Sequence, residues 1–213
     1  MHKTDLEYKF VGKFIVLDGP DGCGKSTQAR LFAEWLDRQG IATLQLRDPG
    51  DTVIGEQIRG ILLRPEHVVM DTRTELLLYM AARAQLWAEK MGPALADGKC
   101  VVLDRWLSST CAYQGYAGEF GMDKVIRIAE DCLERVWPDL TIILDVNLET
   151  ASRRLKRELD RMEQKGDGYH EKVRQGFLEL ARLREGFFVV DASGDIETVH
   201  KRVLDVIVQW GSA

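Results

Sequence analysis

Residues 19–27 read GPDGCGKST, which matches the phosphate-binding pattern GxxxxGK[ST] at every fixed position. The segment follows a short apolar run and precedes an amphipathic stretch, so strand, loop and helix come in the order that this motif requires. Glycines let the backbone curl so that several N–H groups point at phosphate oxygens, and the helix start adds its positive end. We therefore predict that a nucleoside triphosphate binds to Gly19, Pro20, Asp21, Gly22, Cys23, Gly24, Lys25, Ser26 and Thr27.

Four side chains have the chemistry that phosphoryl transfer needs. Two belong to this loop, and the other two follow a later apolar run. The Lys25 ammonium can reach the β and γ phosphates, and the Ser26 hydroxyl can hold Mg²⁺. Asp104 and Arg105 follow the run 100–103, so they leave a sheet at the edge where open α/β sheets bind ligands. Asp104 could support the metal and Arg105 could clamp a phosphate; a surface salt bridge is the alternative for this pair.

A basic tract, RRLKR, occupies residues 153–157, and Arg161 follows it. Arg154, Arg157 and Arg161 have the i, i+3, i+7 spacing that places side chains on one face of a helix. Such a face could close over the triphosphate and bring an arginine to the transferring phosphoryl group. The alternative is a solvated helix face whose charges pair with neighbouring carboxylates.

Five short apolar or β-branched runs alternate with longer amphipathic stretches, which is typical of βαβ units. We predict strands at 13–17, 42–46, 100–103, 140–146 and 187–190. We predict helices at 25–39, 54–62, 74–90, 123–136, 148–163, 169–183 and 196–210. The predicted fold class is α/β: a P-loop NTPase fold with a five-stranded parallel sheet, helices on both faces and a small helical lid.

The length of 213 residues suits one P-loop domain over residues 1–213, with an N-terminal extension at 1–12 and a lid at about 150–168. The net charge of −5 argues against a protein that coats nucleic acid. No apolar run approaches the roughly 20 residues that cross a bilayer, and the polar N-terminus lacks a signal-peptide core. We expect a cytoplasmic protein with no nucleic-acid or membrane partner, whose four scattered cysteines are free thiols.

Taken together, these motifs resemble the thymidylate kinase family, of the bacterial kind that carries its extra arginine in a basic lid. The resemblance runs from Phe14 to about Val203. It rests on the segments FIVLDGPDGCGKSTQ, RDPGDTVIGEQIR, TELLLYMAARAQL, DRWLSSTCAYQG, PDLTIILDV, ELDRMEQ and VVDAS. It implies an enzyme of dTTP biosynthesis that phosphorylates thymidine monophosphate to the diphosphate with ATP and Mg²⁺, and a protein that is usually a homodimer.

The resemblance also implies roles for individual residues. Asp21 would lie near the sugar 3′-hydroxyl of the acceptor, and Arg105 would grip its phosphate. Tyr79 would stack on thymine and Arg83 would bond to a ring oxygen, and their i, i+4 spacing lets both face one pocket. The implied acceptor site comprises Asp21, Arg47, Asp48, Pro49, Tyr79, Arg83, Arg105, Ser109, Thr110, Tyr113 and Gln114. The implied catalytic residues are Lys25, Arg105, Arg153, Arg154, Arg157 and Asp21.

Several positions depart from the pattern of the family. Asp48 replaces the usual glutamate, Asp51 stands where a glycine is normal, and Ser108 replaces an aspartate that is common in the DRY-type motif. The segment GYAGEFG after Gln114 lacks the arginine that often follows the glycines. Gly22 occupies the P-loop position where other members carry arginine, which favours a lid arginine in catalysis.

Two other functions stay open at this point. The first is a related P-loop kinase that acts on another pyrimidine nucleotide or on a nucleoside, because the loop near Asp48 and Asp51 is altered. The second is a nucleotide-dependent switch with no metabolic role. The absence of a recognisable guanine-reading NKxD segment argues against the switch.

Overall fold

A five-stranded parallel sheet forms the centre of the molecule, in a computed structural model that describes residues 9–155, 158 and 160–210. The strand order is β2-β3-β1-β4-β5, so the first strand of the chain lies in the middle. All neighbouring strands pair in parallel, which brings their carboxyl ends to one edge. The strands are β1 (Phe14–Asp18), β2 (Thr43–Arg47), β3 (Cys100–Asp104), β4 (Leu140–Asp145) and β5 (Phe187–Asp191), which confirms the five predicted strands.

Helices connect the strands and cover both faces of the sheet. The α-helices are α1 (Lys25–Arg38), α2 (Val53–Leu63), α3 (Thr72–Leu86), α4 (Gly92–Ala96), α5 (Leu107–Thr110), α6 (Met122–Cys132), α7 (Leu148–Arg154), α8 (Asp167–Leu183) and α9 (Ile196–Trp210). Wider π-helical turns follow α3 at Trp87–Met91 and α5 at Cys111–Ala117. None of the described helices is both long and apolar enough to cross a bilayer.

Alternate side chains of β1 enter two different apolar cores. Ile15 and Leu17 belong to a core that includes Phe32 of α1 and residues of α9. Phe14 and Val16 belong to a second core, which includes residues of α3 and α6. All five of these side chains are fully buried. Burial on both faces explains the continuous apolar runs of the strands and confirms the helical cover on each side.

The predicted helix at 148–163 is wrong beyond Arg154. Helix α7 ends there because the next residue, Leu155, takes an extended backbone with φ −81° and ψ 93°. Turns follow, and Arg161 is buried rather than exposed on a helix. The predicted helical face therefore does not join Arg154 to Arg161, and Arg157 lies outside the described residues.

The burial of Arg161 gives the physical reason for this early end. The Arg161 guanidinium lies 2.5 Å from the Glu75 carboxylate and donates to the carbonyl oxygen of Leu62 at 2.7 Å. The Arg161 backbone N–H donates to the carbonyl oxygen of Leu63 at 3.2 Å. These contacts hold the segment against α2 and α3, and tertiary contacts of this kind outweigh local helix propensity.

The segment 107–117 is helical, although the sequence analysis predicts no helix there. Its π-helical part packs tightly on α8 through a glycine. A Cβ atom built on Gly176 would lie 2.9 Å from the Cβ of Tyr116 and 3.1 Å from the Cα of Ala112. This close approach holds in place the segment that carries Ser109, Thr110, Tyr113 and Gln114. The predicted helix at 123–136 also ends early, at Cys132.

The chain carries its cysteines as free thiols, at Cys23, Cys100, Cys111 and Cys132. The division into an extension at 1–12, a main domain and a lid at about 150–168 stays a prediction.

Candidate active site

A cavity of about 740 Å³ opens at the carboxyl edge of the sheet. This volume is typical of a small-molecule site. The P-loop lines one end of the cavity, from Asp21 to Thr27. The cavity also brings together the whole predicted acceptor set, which is Asp21, Arg47, Asp48, Pro49, Tyr79, Arg83, Arg105, Ser109, Thr110, Tyr113 and Gln114.

The P-loop has the backbone conformation that an anion site needs. Gly19, Gly22 and Gly24 have positive φ angles of 144°, 77° and 96°, which residues with side chains rarely adopt. Gly24 is the N-cap of α1 and makes no side-chain cap, so the first N–H groups of the helix can serve a ligand. The Lys25 ammonium lies across the loop, where it donates to the carbonyl oxygen of Pro20 at 3.1 Å.

Helix α7, which lies in the predicted lid segment, packs directly against the P-loop. A Cβ atom built on Gly22 would lie 2.3 Å from the carbonyl oxygen of Ala151 in α7. Because a heavy atom cannot approach backbone so closely, only glycine fits at this position while α7 keeps its place.

Ser26 and Asp104 lie together, as the sequence analysis requires for a metal site. The Ser26 hydroxyl donates to Oδ2 of Asp104, and Oδ1 of Asp104 is buried without a hydrogen-bond partner. A buried carboxylate oxygen without a donor favours a cation or a metal-bound water. Mg²⁺ is usually held by one or two protein oxygens together with substrate phosphates and waters, so this pair fits Mg²⁺.

The Asp21 carboxylate lies among three groups that attract it. Arg105 donates to its Oδ1, the Tyr113 hydroxyl donates to its Oδ2 at 2.6 Å, and the Lys25 ammonium lies 3.7 Å from Oδ1. Burial raises the pKa of Asp21, but the charges of Arg105 and Lys25 and the Tyr113 hydrogen bond outweigh it and lower the pKa to about 2. Asp21 is therefore ionised at neutral pH and holds both cations at the cavity.

Asp18, which the sequence analysis misses, organises the site from the end of β1. It is fully buried and accepts hydrogen bonds from the N–H of Gly19 at 2.8 Å and from the hydroxyls of Ser108 at 2.6 Å and Ser109 at 2.7 Å. Its Oδ1 also lies 3.5 Å from the guanidinium of Arg105. Ser108, one of the departures from the family pattern, thus serves to hold this carboxylate. The position of Asp18 in the sequence could have indicated this role, because Asp18 ends a buried strand directly before the P-loop.

Arg83 and Asp48 form a buried ion pair in the wall of the cavity, and we name this part of the cavity, with Tyr79, the Arg83 end. Arg83 Nε donates to Oδ2 of Asp48 at 2.7 Å, and both side chains are 1% exposed. Arg83 Nη2 donates to the carbonyl oxygen of Trp106 at 2.9 Å, whereas its Nη1 is buried without a partner. The Tyr79 ring lies beside the same guanidinium, 5.7 Å from its Cζ. Arg83 therefore keeps one donor for a ligand, and Asp48 fixes its orientation.

Arg47 is the last residue of β2, and the loop that follows it has a cis Asp48–Pro49 peptide bond. Arg47 Nη2 and the N–H of Asp51 both donate to Oε1 of Glu56 at 2.7 Å. The Asp51 carboxylate accepts from the Arg47 N–H at 2.5 Å. Asp51 has a φ of 58°, which aspartate tolerates better than most residues, so it keeps the conformation that a glycine would adopt.

A buried polar cluster lies behind the Arg83 end of the cavity. Gln114 Nε2 donates to Oε1 of Glu75 at 2.5 Å, and Nη2 of Arg161 lies 2.5 Å from Oε2 of Glu75. Glu75 has no role predicted from the sequence, and Arg161 was predicted on the helical face of the lid. An acidic residue in the first turn of a helix is ordinary, so the sequence carried no signal for this cluster.

The two lid arginines that the structure describes have different surroundings. Arg154 lines the cavity and donates to the carbonyl oxygens of Cys23 at 3.5 Å and Gly194 at 2.9 Å. Arg153 is exposed and pairs within α7. Arg157, the third predicted arginine, lies outside the described residues.

Comparisons with known proteins agree with this geometry. The sequence model of the family described as Thymidylate kinase matches residues 17–203. A thymidylate kinase of Thermoanaerobacter sp. (strain X514) is 42% identical, and the alignment covers 93% of this chain and 98% of that protein. A thymidylate kinase of Geobacillus sp. (strain WCH70) is 38% identical over 92% of this chain and 96% of that protein.

A solved structure supports the same relationship at the level of fold. The crystal structure of thymidylate kinase from Ehrlichia chaffeensis superimposes with a TM-score of 0.76 and 28% sequence identity. The superposition covers 93% of this chain and 99% of that chain, so the likeness includes the entire P-loop NTPase fold. The chain therefore belongs to the thymidylate kinase family, and it is a nucleoside monophosphate kinase that phosphorylates thymidine monophosphate.

Proposed function

We propose that ATP occupies the P-loop end of the cavity and that thymidine monophosphate occupies the Arg83 end, with its phosphate directed to Arg105. The observation that supports this arrangement best is that one cavity is lined both by the P-loop and by every predicted acceptor residue. The two phosphates would then meet near Lys25 and Arg105, which are the cations that Asp21 now holds.

Catalysis in this proposal depends on alignment and on neutralisation of charge. The attacking phosphate oxygen is already nucleophilic, so no general base is needed. Lys25 and Arg105 would exchange their contacts with Asp21 for contacts with phosphate oxygens. Asp21, freed from one cation, would accept a hydrogen bond from the sugar hydroxyl. Arg154, which lies against the P-loop backbone, would add positive charge on the lid side.

Ser26 and Asp104 would hold Mg²⁺ in this scheme. When bound, the ion would neutralise charge on the phosphates of ATP and help to orient them. The hydrogen bond between the Ser26 hydroxyl and Oδ2 of Asp104, and the unpartnered Oδ1 of Asp104, support this position.

The acceptor base would lie against Tyr79, with Nη1 of Arg83 as a donor to a ring oxygen. The stacking of an aromatic ring with a base is sequence-tolerant, whereas a buried donor discriminates between ring substituents. Ser109 and Thr110 would line the path between base and phosphate, and Arg47 and Pro49 would close the rim.

We predict that Lys25→Ala abolishes transfer of phosphate to thymidine monophosphate, because Lys25 is the ammonium that lies across the P-loop. ADP release with thymidine, deoxyuridine, uridine and cytidine monophosphates measures both activity and acceptor preference. Lys201→Ala, an exposed lysine on α9, is the matched control and should keep wild-type turnover. Normal turnover by Lys25→Ala with an intact circular dichroism spectrum would exclude the proposed donor site.

We further propose that the enzyme acts in the cytoplasm as a homodimer. Among the described residues, twelve large apolar side chains are exposed, and six of them lie in α2, α3 or the loop between these helices: Val53, Ile54, Ile61, Val68, Val69 and Leu77. Concentration of exposed apolar side chains marks an interaction surface, and a second copy of the same helix pair is its proposed occupant. Leu76 and Met80, which also lie in α3, are instead buried in the core.

A further inference from the structure

Glu75 is a buried carboxylate behind the Arg83 end of the cavity. Its Oε1 accepts a hydrogen bond from Nε2 of Gln114 at 2.5 Å, and its Oε2 lies 2.5 Å from Nη2 of Arg161. Arg161 in turn donates through Nε to the carbonyl oxygen of Leu62 at 2.7 Å. One oxygen of the carboxylate is therefore engaged by a residue that lines the cavity, and the other by a cation that is anchored to α2.

The contact with Glu75 fixes the orientation of the Gln114 amide. A carboxylate accepts hydrogen bonds and cannot donate them, so the NH₂ group of Gln114 must face Glu75. A rotated amide would place its carbonyl oxygen against the carboxylate, where two buried acceptors would oppose each other. The carbonyl oxygen of Gln114 is then the amide atom left for the cavity, which Gln114 lines.

Arg83 supplies the complementary group at the same end of the cavity, because its Nη1 is a buried donor without a partner. One acceptor and one donor match thymine and uracil, which carry an N3–H donor next to the C4 carbonyl acceptor. Cytosine carries an unprotonated N3 next to a C4 amino group, which is the reverse pattern. A cytosine base would leave buried groups unpaired, and sites of this kind discriminate strongly.

We propose that Glu75 is a positioning residue, which fixes the Gln114 amide and thereby makes the kinase selective for thymine and uracil bases over cytosine. This inference rests on the placement of the acceptor base proposed above. Arg161, which follows α7 in the chain, places its positive charge beside the Glu75 carboxylate and so helps to hold Glu75 in position.

The variant Glu75→Gln tests this proposal, because it keeps the volume of the side chain and removes the requirement for one amide orientation. We expect the ratio of kcat/KM for thymidine monophosphate to that for deoxycytidine monophosphate to fall about tenfold or more. The ratio of thymidine to deoxyuridine monophosphate should not change, since both bases carry the same N3–H and C4 carbonyl. A general loss of structure would lower all rates without selectively changing the first ratio.

The double variant Glu75→Gln with Gln114→Glu exchanges the two groups. The amide at position 75 would donate to the carboxylate at position 114, whose other oxygen would again accept from N3–H. We expect this exchange to restore the thymidine-to-deoxycytidine ratio to within about threefold of wild type.

An unchanged ratio in a folded Glu75→Gln enzyme would overturn the proposal. If circular dichroism shows that Glu75→Gln does not fold, the double variant decides: preserved selectivity supports the role of Glu75, and lost selectivity overturns it. The wild-type enzyme in the same assay separates this inference from the proposed function. Failure of the wild type to phosphorylate thymidine monophosphate would remove the function itself, whereas an active wild type with an insensitive ratio removes the role of Glu75 alone.

Discussion

At the scale of the residue, carboxylates of the chain hold the cationic side chains of the cavity in place. Asp21 pairs with Arg105 and Lys25, Asp18 lies under Arg105, and Asp48 pairs with Arg83. A guanidinium that is already oriented loses less conformational entropy when a ligand arrives, so these carboxylates prepare the site for phosphate and base.

The two described lid arginines give a matched test at the scale of the residue. Arg154→Ala should lower kcat with thymidine monophosphate by about 10³, because Arg154 lies at the P-loop, where the proposed mechanism has it neutralise charge on the transferring phosphoryl group. Arg153→Ala should change kcat by less than about twofold, since Arg153 is exposed and its ion pair within α7 is worth little. Steady-state kinetics with both substrates varied gives kcat and KM separately. A large loss for Arg153→Ala together with a small loss for Arg154→Ala would reverse the assignment.

The sequence points to site residues in two different ways. Lys25 and Ser26 belong to a fixed motif, whereas the roles of Tyr79 and Arg83 come from the family resemblance, with which their i, i+4 spacing agrees. The partners of Glu75 could not be predicted, because Gln114 and Arg161 reach it from distant segments of the chain. Pairing over such separations depends on the packed fold and has no local pattern.

At the scale of the element, helix prediction succeeded where an apolar face meets the core and failed where polar contacts decide. Helix α9 spans Ile196–Trp210 as predicted, with Val199 and Val203 buried at i and i+4. Helix α7 stops at Arg154, and Arg161 is buried against Glu75 instead of extending the predicted helical face. Amphipathic periodicity therefore predicted the helices that pack on the sheet. It predicted too long a helix for α7, because an ion pair holds Arg161 outside that helix.

The contact between α8 and the π-helical turns at Cys111–Ala117 predicts a stability effect. Gly176→Ala should lower the free energy of unfolding by about 1–2 kcal/mol, because the new methyl group would overpack the space beside Tyr116 and Ala112. Gly168→Ala, in the same helix, is the control: a Cβ at Gly168 meets nothing within 4 Å. We expect that control to keep or slightly raise stability, by up to about 1 kcal/mol. Urea unfolding measures both variants, and a Gly176→Ala protein as stable as wild type would show that this interface is loose.

The whole molecule carries a net charge of −5, yet its cavity is lined by the cations that phosphate binding requires. Lys25, Arg83, Arg105 and Arg154 concentrate positive charge in the cavity at the carboxyl edge of the sheet. The fold class was predicted from the alternation of strands and helices. The choice of thymidine monophosphate required segments specific to the family, which the comparisons confirm.

Quaternary structure provides a prediction for the whole molecule. Leu77→Glu should convert the proposed dimer to a monomer, because it places a charge on a side chain that is 57% exposed on the apolar surface of α2 and α3. Leu183→Glu changes an equally exposed leucine at the end of α8, 59% exposed, and should leave the dimer intact. Sedimentation velocity over a range of concentrations measures the association state. A wild-type protein that sediments as a monomer throughout would contradict the homodimer.

The contact of Gly22 with the backbone of Ala151 has a consequence for how this enzyme can evolve. An arginine introduced at position 22 would have to displace α7, and with it Arg154, before it could reach a phosphate. An arginine at position 22 and Arg154 in its present place are therefore mutually exclusive in this chain. A single substitution that introduced the first would displace the second. Any lineage that moves the charge from lid to loop must change both segments together.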